Sequence, residues 1–156
     1  MLKLPIISLF LRTIPEGIIL VLVGYMILNK PLEKQKICIT GVILGISTYF
    51  VRMLPINFGI HMILILFVYM FLLHKINIMN FYKAVTAGIV SFIFIAISEW
   101  IMLVFYIGVL GMSTEKVLDQ SLSSILLGLP SLVLLFCMGM LVQKIININA
   151  RKSKVH

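Results

Sequence analysis

The stretch Ala87–Leu110, AGIVSFIFIAISEWIMLVFYIGVL, runs 24 residues with one charged side chain, Glu99. A bilayer core about 30 Å thick needs about 20 predominantly apolar residues in a helix, so this stretch reads as a membrane-crossing α-helix. Its single carboxylate is as telling as its length. An ionisable group at that depth is costly unless it is paired or faces water, which makes Glu99 a candidate functional residue.

The rest of the chain has the same character. It is 62% hydrophobic and only 12% charged over 156 residues, with a mean hydropathy of +1.18. A soluble domain averages about half apolar and about a quarter charged. Too little polar surface is left to cover a water-soluble globule, so the expectation is one polytopic, all-α membrane helix bundle in the cell membrane. Five transmembrane helices are predicted: roughly Ile14 to Leu28, Ile37 to Val51, Phe58 to Leu73, Ala84 to Leu110 and Leu122 to Val142. Leu4 to Leu11 reads either as an interfacial helix ahead of the first span or as part of it. Residues 1–143 form a single transmembrane domain, and 144–156 a basic tail. The N-terminal run superficially resembles a signal peptide. Arg12 and Glu16 break its apolar core and no small-residue cleavage site follows, so it is expected to be retained.

The distribution of basic residues predicts orientation. Nine of the thirteen Lys/Arg (Lys30, Lys34, Lys36, Lys75, Lys83, Lys144, Arg151, Lys152 and Lys154) fall on one side of a five-span chain. The positive-inside rule then puts the N-terminus outside and the C-terminus in the cytoplasm. The same juxtamembrane clustering argues against a nucleic-acid partner; the partner implied by composition is the lipid bilayer. Cys38 and Cys137 stand about a hundred residues apart in apolar surroundings. They form neither a metal motif nor a redox pair and are expected to be buried thiols. Gly41 and Gly45 make a small-xxx-small pattern that would admit a close helix neighbour.

With this orientation Arg12 and Glu16 stand at the outer end of the first span, Arg52 at the outer end of the second and His61 at the outer start of the third. Glu99 is 15 residues beyond Ala84, roughly 22 Å from the inner face at 1.5 Å per residue. All five therefore share the outer half. Each has a plain structural reading: an i, i+4 pair for Arg12 and Glu16, snorkelling for Arg52, an interfacial hydrogen bond for His61, and an interhelical bridge to Arg52 or Arg12 for Glu99. The functional reading is that Arg12, Glu16, Arg52, His61 and Glu99 line an outward-facing ligand pocket. Pro55, Gly59 and Pro130 would open the helix spacing around it, and Trp100 would serve as wall or anchor.

No catalytic constellation accompanies them. The sequence holds no nucleophile–His–carboxylate set, no H-E-x-x-H, no paired aspartates within the apolar runs and no glycine-rich phosphate loop. A non-enzymatic protein without cofactor or metal is expected. A sensor or receptor-like module would recognise a small ligand, peptide or lipid at this site. Two alternatives remain open: a small transporter or proton-coupled component using Glu99, and a structural subunit of a membrane complex.

Three runs carry a family likeness: Arg12-Thr-Ile-Pro-Glu-Gly17, Tyr49-Phe-Val-Arg52-Met-Leu-Pro-Ile-Asn-Phe-Gly-Ile-His61 and Ser98-Glu99-Trp100. Together they resemble the membrane-embedded sensor region of Gram-positive histidine kinases with a GHKL-type ATPase, including those of peptide quorum-sensing loci. In such kinases the helix leaving the last span continues into a cytoplasmic dimerisation and catalytic module. The 156 residues contain no phosphoacceptor region or ATP-binding motif. The resemblance thus implies a sensor module without the kinase part, either standing alone or belonging to a longer protein. It would work as a homo-oligomer or with a partner membrane or kinase protein.

Overall fold

The computed structural model describes residues 9–54, 58–111 and 128–152. Among these the chain is all-α. A π-helical turn, Leu9–Thr13, leads into α1 (Ile14–Ile27), followed by α2 (Lys34–Met53), α3 (Phe58–Lys75), α4 (Phe81–Gly108) and α5 (Leu129–Lys152). Pro15 sits in the first turn of α1, where its missing N–H leaves no hydrogen bond unmade. Leu54, which precedes Pro55 in sequence, ends α2 in an extended conformation (φ −69°, ψ 139°), as the proline ring requires of its predecessor. Asn29 closes α1 in the left-handed region (φ 49°). Lys30 N donates to Tyr25 O and Asn29 N to Met26 O, which satisfies the last carbonyls in a Schellman turn.

Helix α1 is the centre of the bundle and packs against α2, α4 and α5, while α3 fits between α2 and α4. The closest approach is between α1 and α2. Side chains are missing where they would collide: a Cβ on Gly41 would stand 2.5 Å from Ile18 Cα, and one on Gly45 2.9 Å from Ile14 Cα. A Cβ on Gly17 would run into the Gly41 carbonyl. The small-residue pattern therefore serves a contact within the chain, one that brings two backbones together.

Polarity runs opposite to that of a soluble bundle. Glu16, Thr40, Thr48, Asn77, Ser91 and Ser98 are buried, whereas Phe50, Phe67, Phe71 and Trp100 are each 60% exposed or more. The helices around α1 turn large apolar side chains outward, which suits a lipid surround and not water. Among the described residues, four helical segments (Phe10–Ile27, Lys34–Met53, Phe81–Gly108 and Leu129–Ala150) are long and apolar enough to cross a membrane; α3 is apolar but shorter.

Several expectations change here. The part of Leu4–Leu11 that is described belongs to the π-helical turn and runs directly into α1. The start expected for the last span, at Leu122, lies outside the described residues. Its helix does not stop near Val142 but continues to Lys152. Cys38 and Cys137 are exposed, not buried. A thiol behaves as a small hydrophobe, and in a bundle whose outer faces are apolar such a residue is as much at home outside as inside.

Candidate functional site

Arg12, Glu16, Arg52 and Glu99 meet at the end of the bundle where α1 begins and α2 stops. Arg12 Nη2 donates to Glu99 Oε1 at 2.8 Å, and its Nε lies 3.9 Å from Glu16 Oε2. Arg52 Nη2 reaches Glu16 Oε1 at 3.4 Å. Two guanidiniums and two carboxylates thus form one chain, Glu99–Arg12–Glu16–Arg52, spanning α1, α2 and α4 with no net charge. Arg12 meets Glu16 at ordinary i, i+4 spacing, and its place in the π-helical turn, whose coil is wider than an α-turn, sets its direction toward Glu99. Gly128, just ahead of α5, leaves room for it: a Cβ there would stand 2.9 Å from the guanidinium carbon.

Burial differs along this chain of charges. Glu16 is 6% exposed, while the Arg12, Arg52 and Glu99 side chains remain 28%, 32% and 43% accessible. A cavity of about 30 Å³ opens beside them, with Thr13, Glu16, Thr48, Arg52 and Glu99 on its polar wall and an apolar floor that includes Leu20 and Ile65. That volume holds a water-sized group and little more.

Of the five residues predicted for the site, these four are joined by ion pairs. His61 directs Nε2 to the Leu54 carbonyl at 3.2 Å, which holds the start of α3 against the end of α2. Trp100 is 67% exposed and is not among the described residues that line the cavity beside the cluster. Among the described residues nothing lies within 4 Å of a Cβ built on Gly59, and Pro130 is exposed; neither spaces described helices at the cluster. Pro55 lies outside the described residues. Arg12 is the hub, so its pairing with Glu99 is open to direct measurement. A double-mutant cycle with Arg12→Met and Glu99→Gln, read by denaturation in bicelles, is expected to give a coupling of about 1 kcal/mol, typical of interhelical polar contacts in membranes.

A second polar centre, at the other end of the bundle, goes beyond what the sequence pattern predicts. The connector after α3 turns inward at Asn77, which is 1% exposed. Asn77 Oδ1 accepts from Tyr25 OH at 2.6 Å, and its Nδ2 donates to Thr40 Oγ1 at 2.9 Å and Leu72 O at 3.4 Å. One connector side chain thereby ties α1, α2 and α3 together. Ile78 follows with φ 49°, a conformation that a β-branched residue adopts only under strain. Between the two centres Tyr69 OH donates to Leu20 O at 2.7 Å. At the far end Asn29 Nδ2 donates to Asn147 Oδ1 at 2.9 Å, linking the α1–α2 connector to α5. An asparagine in a short connector looks in sequence like any turn residue, and only the tyrosines within apolar runs hint at inward hydrogen bonding.

Comparison with protein-family models, with curated proteins and with solved structures found no match.

Proposed function

We propose that this chain is a membrane-embedded sensor or receptor-like regulatory module of the cell membrane. It crosses the bilayer five times, with the N-terminus outside and the C-terminus in the cytoplasm, so the charged cluster lies in the outer leaflet. A small ligand, peptide or lipid engages Arg12, Glu16, Arg52 and Glu99, with His61 bracing the neighbouring helix ends. The response passes along α1 to α5 and from there to a partner, either a kinase-type protein or a second copy. The observation that carries this reading is that α1 is held at one end by the charge network and at the other by contacts to α5. A disturbance at the cluster is therefore delivered to the opposite face. The likeness of the Arg12–Gly17, Tyr49–His61 and Ser98–Trp100 runs to kinase sensor regions points the same way.

Proton-coupled transport through Glu99 would need a continuous polar path. The cavity ends instead on Leu20, Ile65 and Ile95, all buried, which favours a relay over a conduit. The test is a distance. With Cys38 and Cys137 replaced by serine, spin labels at the exposed positions Leu32 and Ile148 report on the far end of the bundle. Glu99→Gln is expected to shift their separation by about 2 Å, the scale of helix displacements in switching proteins. An unchanged distance in a folded, inserted protein would remove the relay.

A further inference from the structure

We propose that the cavity beside Glu16 accepts a primary ammonium group, seated on Glu16 Oε2 in exchange for Arg52. This rests on the sensor reading and names the chemistry its site would recognise. Glu16 is the deepest charge in the cluster and the least well served. Its Oε2 is buried with no hydrogen-bond donor among the described residues; the nearest guanidinium nitrogen, Arg12 Nε, is 3.9 Å away, and Arg52 reaches the other oxygen only at 3.4 Å. Charge-assisted N–H···O bonds run at about 2.7–2.9 Å. Arg12 and Glu99, at 2.8 Å, meet that standard, so the shortfall is confined to Glu16. Leaving a buried carboxylate oxygen unpaired is unfavourable, and the remedy is a donor delivered through the cavity.

The dimensions limit what that donor is. About 30 Å³ admits a group about the size of a water molecule. An –NH₃⁺ head meets that limit and brings three donors, for Glu16 and for neighbouring hydroxyls such as Thr48 on the same wall. A quaternary trimethylammonium head is too large and has no N–H. Charge also balances. Arg52 is a third exposed at the end of α2, so it can swing outward as the ammonium enters, leaving two cations against two carboxylates. Its release frees the end of α2 from α1, which gives the relay its first movement. The amine can be free in solution or carried on a phospholipid headgroup; the binding chemistry is the same.

The experiment uses the full chain, with ¹⁵N-labelled arginine, in nanodiscs of phosphatidylcholine and phosphatidylglycerol. Methylammonium chloride is expected to shift the Arg52 Nε–H resonance saturably, while tetramethylammonium chloride at equal ionic strength leaves it in place. Glu16→Gln should weaken the response roughly ten- to a hundredfold. Arg52→Gln, read on the Arg12 resonance, should tighten it, a gain that misfolding would not produce. Equal responses to the two cations, undiminished binding in E16Q, or unchanged affinity in R52Q would each overturn the assignment. Replacing phosphatidylcholine with phosphatidylethanolamine separates the sources. Discs that show the shifted resonance before titration support a lipid headgroup, and discs that still titrate with methylammonium support a free amine. Methylammonium binding without movement of the Leu32–Ile148 distance would keep this site and remove the relay. A distance shift in E99Q without methylammonium binding would do the reverse.

Discussion

Gly41→Ala is expected to destabilise the bundle by about 3 kcal/mol, near the upper end for overpacking a tight contact. The added Cβ would stand 2.5 Å from Ile18 Cα and 2.8 Å from Ile18 N. Both are backbone atoms that no rotamer change can move aside, so α1 and α2 must separate along their length. The same displacement pulls Glu16 away from Arg52, and the ion pair weakens with the packing. Gly59→Ala provides the control: among the described residues no atom lies within 4 Å of the position its added methyl would take, and alanine is the better helix former by up to about 1 kcal/mol. Denaturation in bicelles, followed by helical ellipticity, should lower the midpoint for Gly41→Ala and hold or raise it for Gly59→Ala. A neutral Gly41→Ala would mean that α1 and α2 are not held at this distance.

Asn77→Ala is expected to cost about 2–3 kcal/mol at the opposite end. Removing the amide strands Tyr25 OH and Thr40 Oγ1, two groups that now share it at 2.6 and 2.9 Å, and opens a void among α1, α2 and α3. Orphaned buried hydroxyls, more than lost bonds, make up most of that loss. The sharper expectation is non-additivity. Tyr25→Phe should destabilise the wild type by about 1 kcal/mol and the Asn77→Ala protein by clearly less, because its partner is already gone. Equal effects in the two backgrounds would show that the hydroxyl does not depend on Asn77.

The long apolar helices are legible in the sequence because fitness to cross a bilayer depends on the summed hydropathy of about 20 residues, a quantity indifferent to which way each residue points. The level of Glu99 along the bundle is legible for a related reason. A fixed rise per residue carries Glu99 to the level of Arg12, and the 2.8 Å ion pair places them together. Rotation about each helix axis is not legible. In helices apolar on every side, no amphipathic stripe marks the inward face, so Cys38 and Cys137 read as buried, and Trp100 as a wall or an anchor, while all three point out. The inward faces are marked instead by small and hydroxyl residues such as Gly17, Gly41, Ser91 and Ser98, which backbones and hydrogen bonds select. Asn77 escapes a sequence reading because nothing local distinguishes a connector that folds inward from one that stays outside. Its partners, Tyr25 and Thr40, lie 52 and 37 residues away.

A π-helical turn holds one residue more than an α-turn would over the same stretch. Arg12 therefore owes its direction toward Glu99 to how many residues Leu9–Thr13 contains as much as to which they are. Substitution can alter the side chains of this segment and leave the count intact. Loss of Thr13 would wind the coil back to α and swing the guanidinium about 100° around the axis relative to Glu99, while its spacing to Glu16 shortens from i, i+4 to i, i+3. The segment works as a length gauge, and insertions and deletions, rather than point changes, are the variation it is least able to absorb.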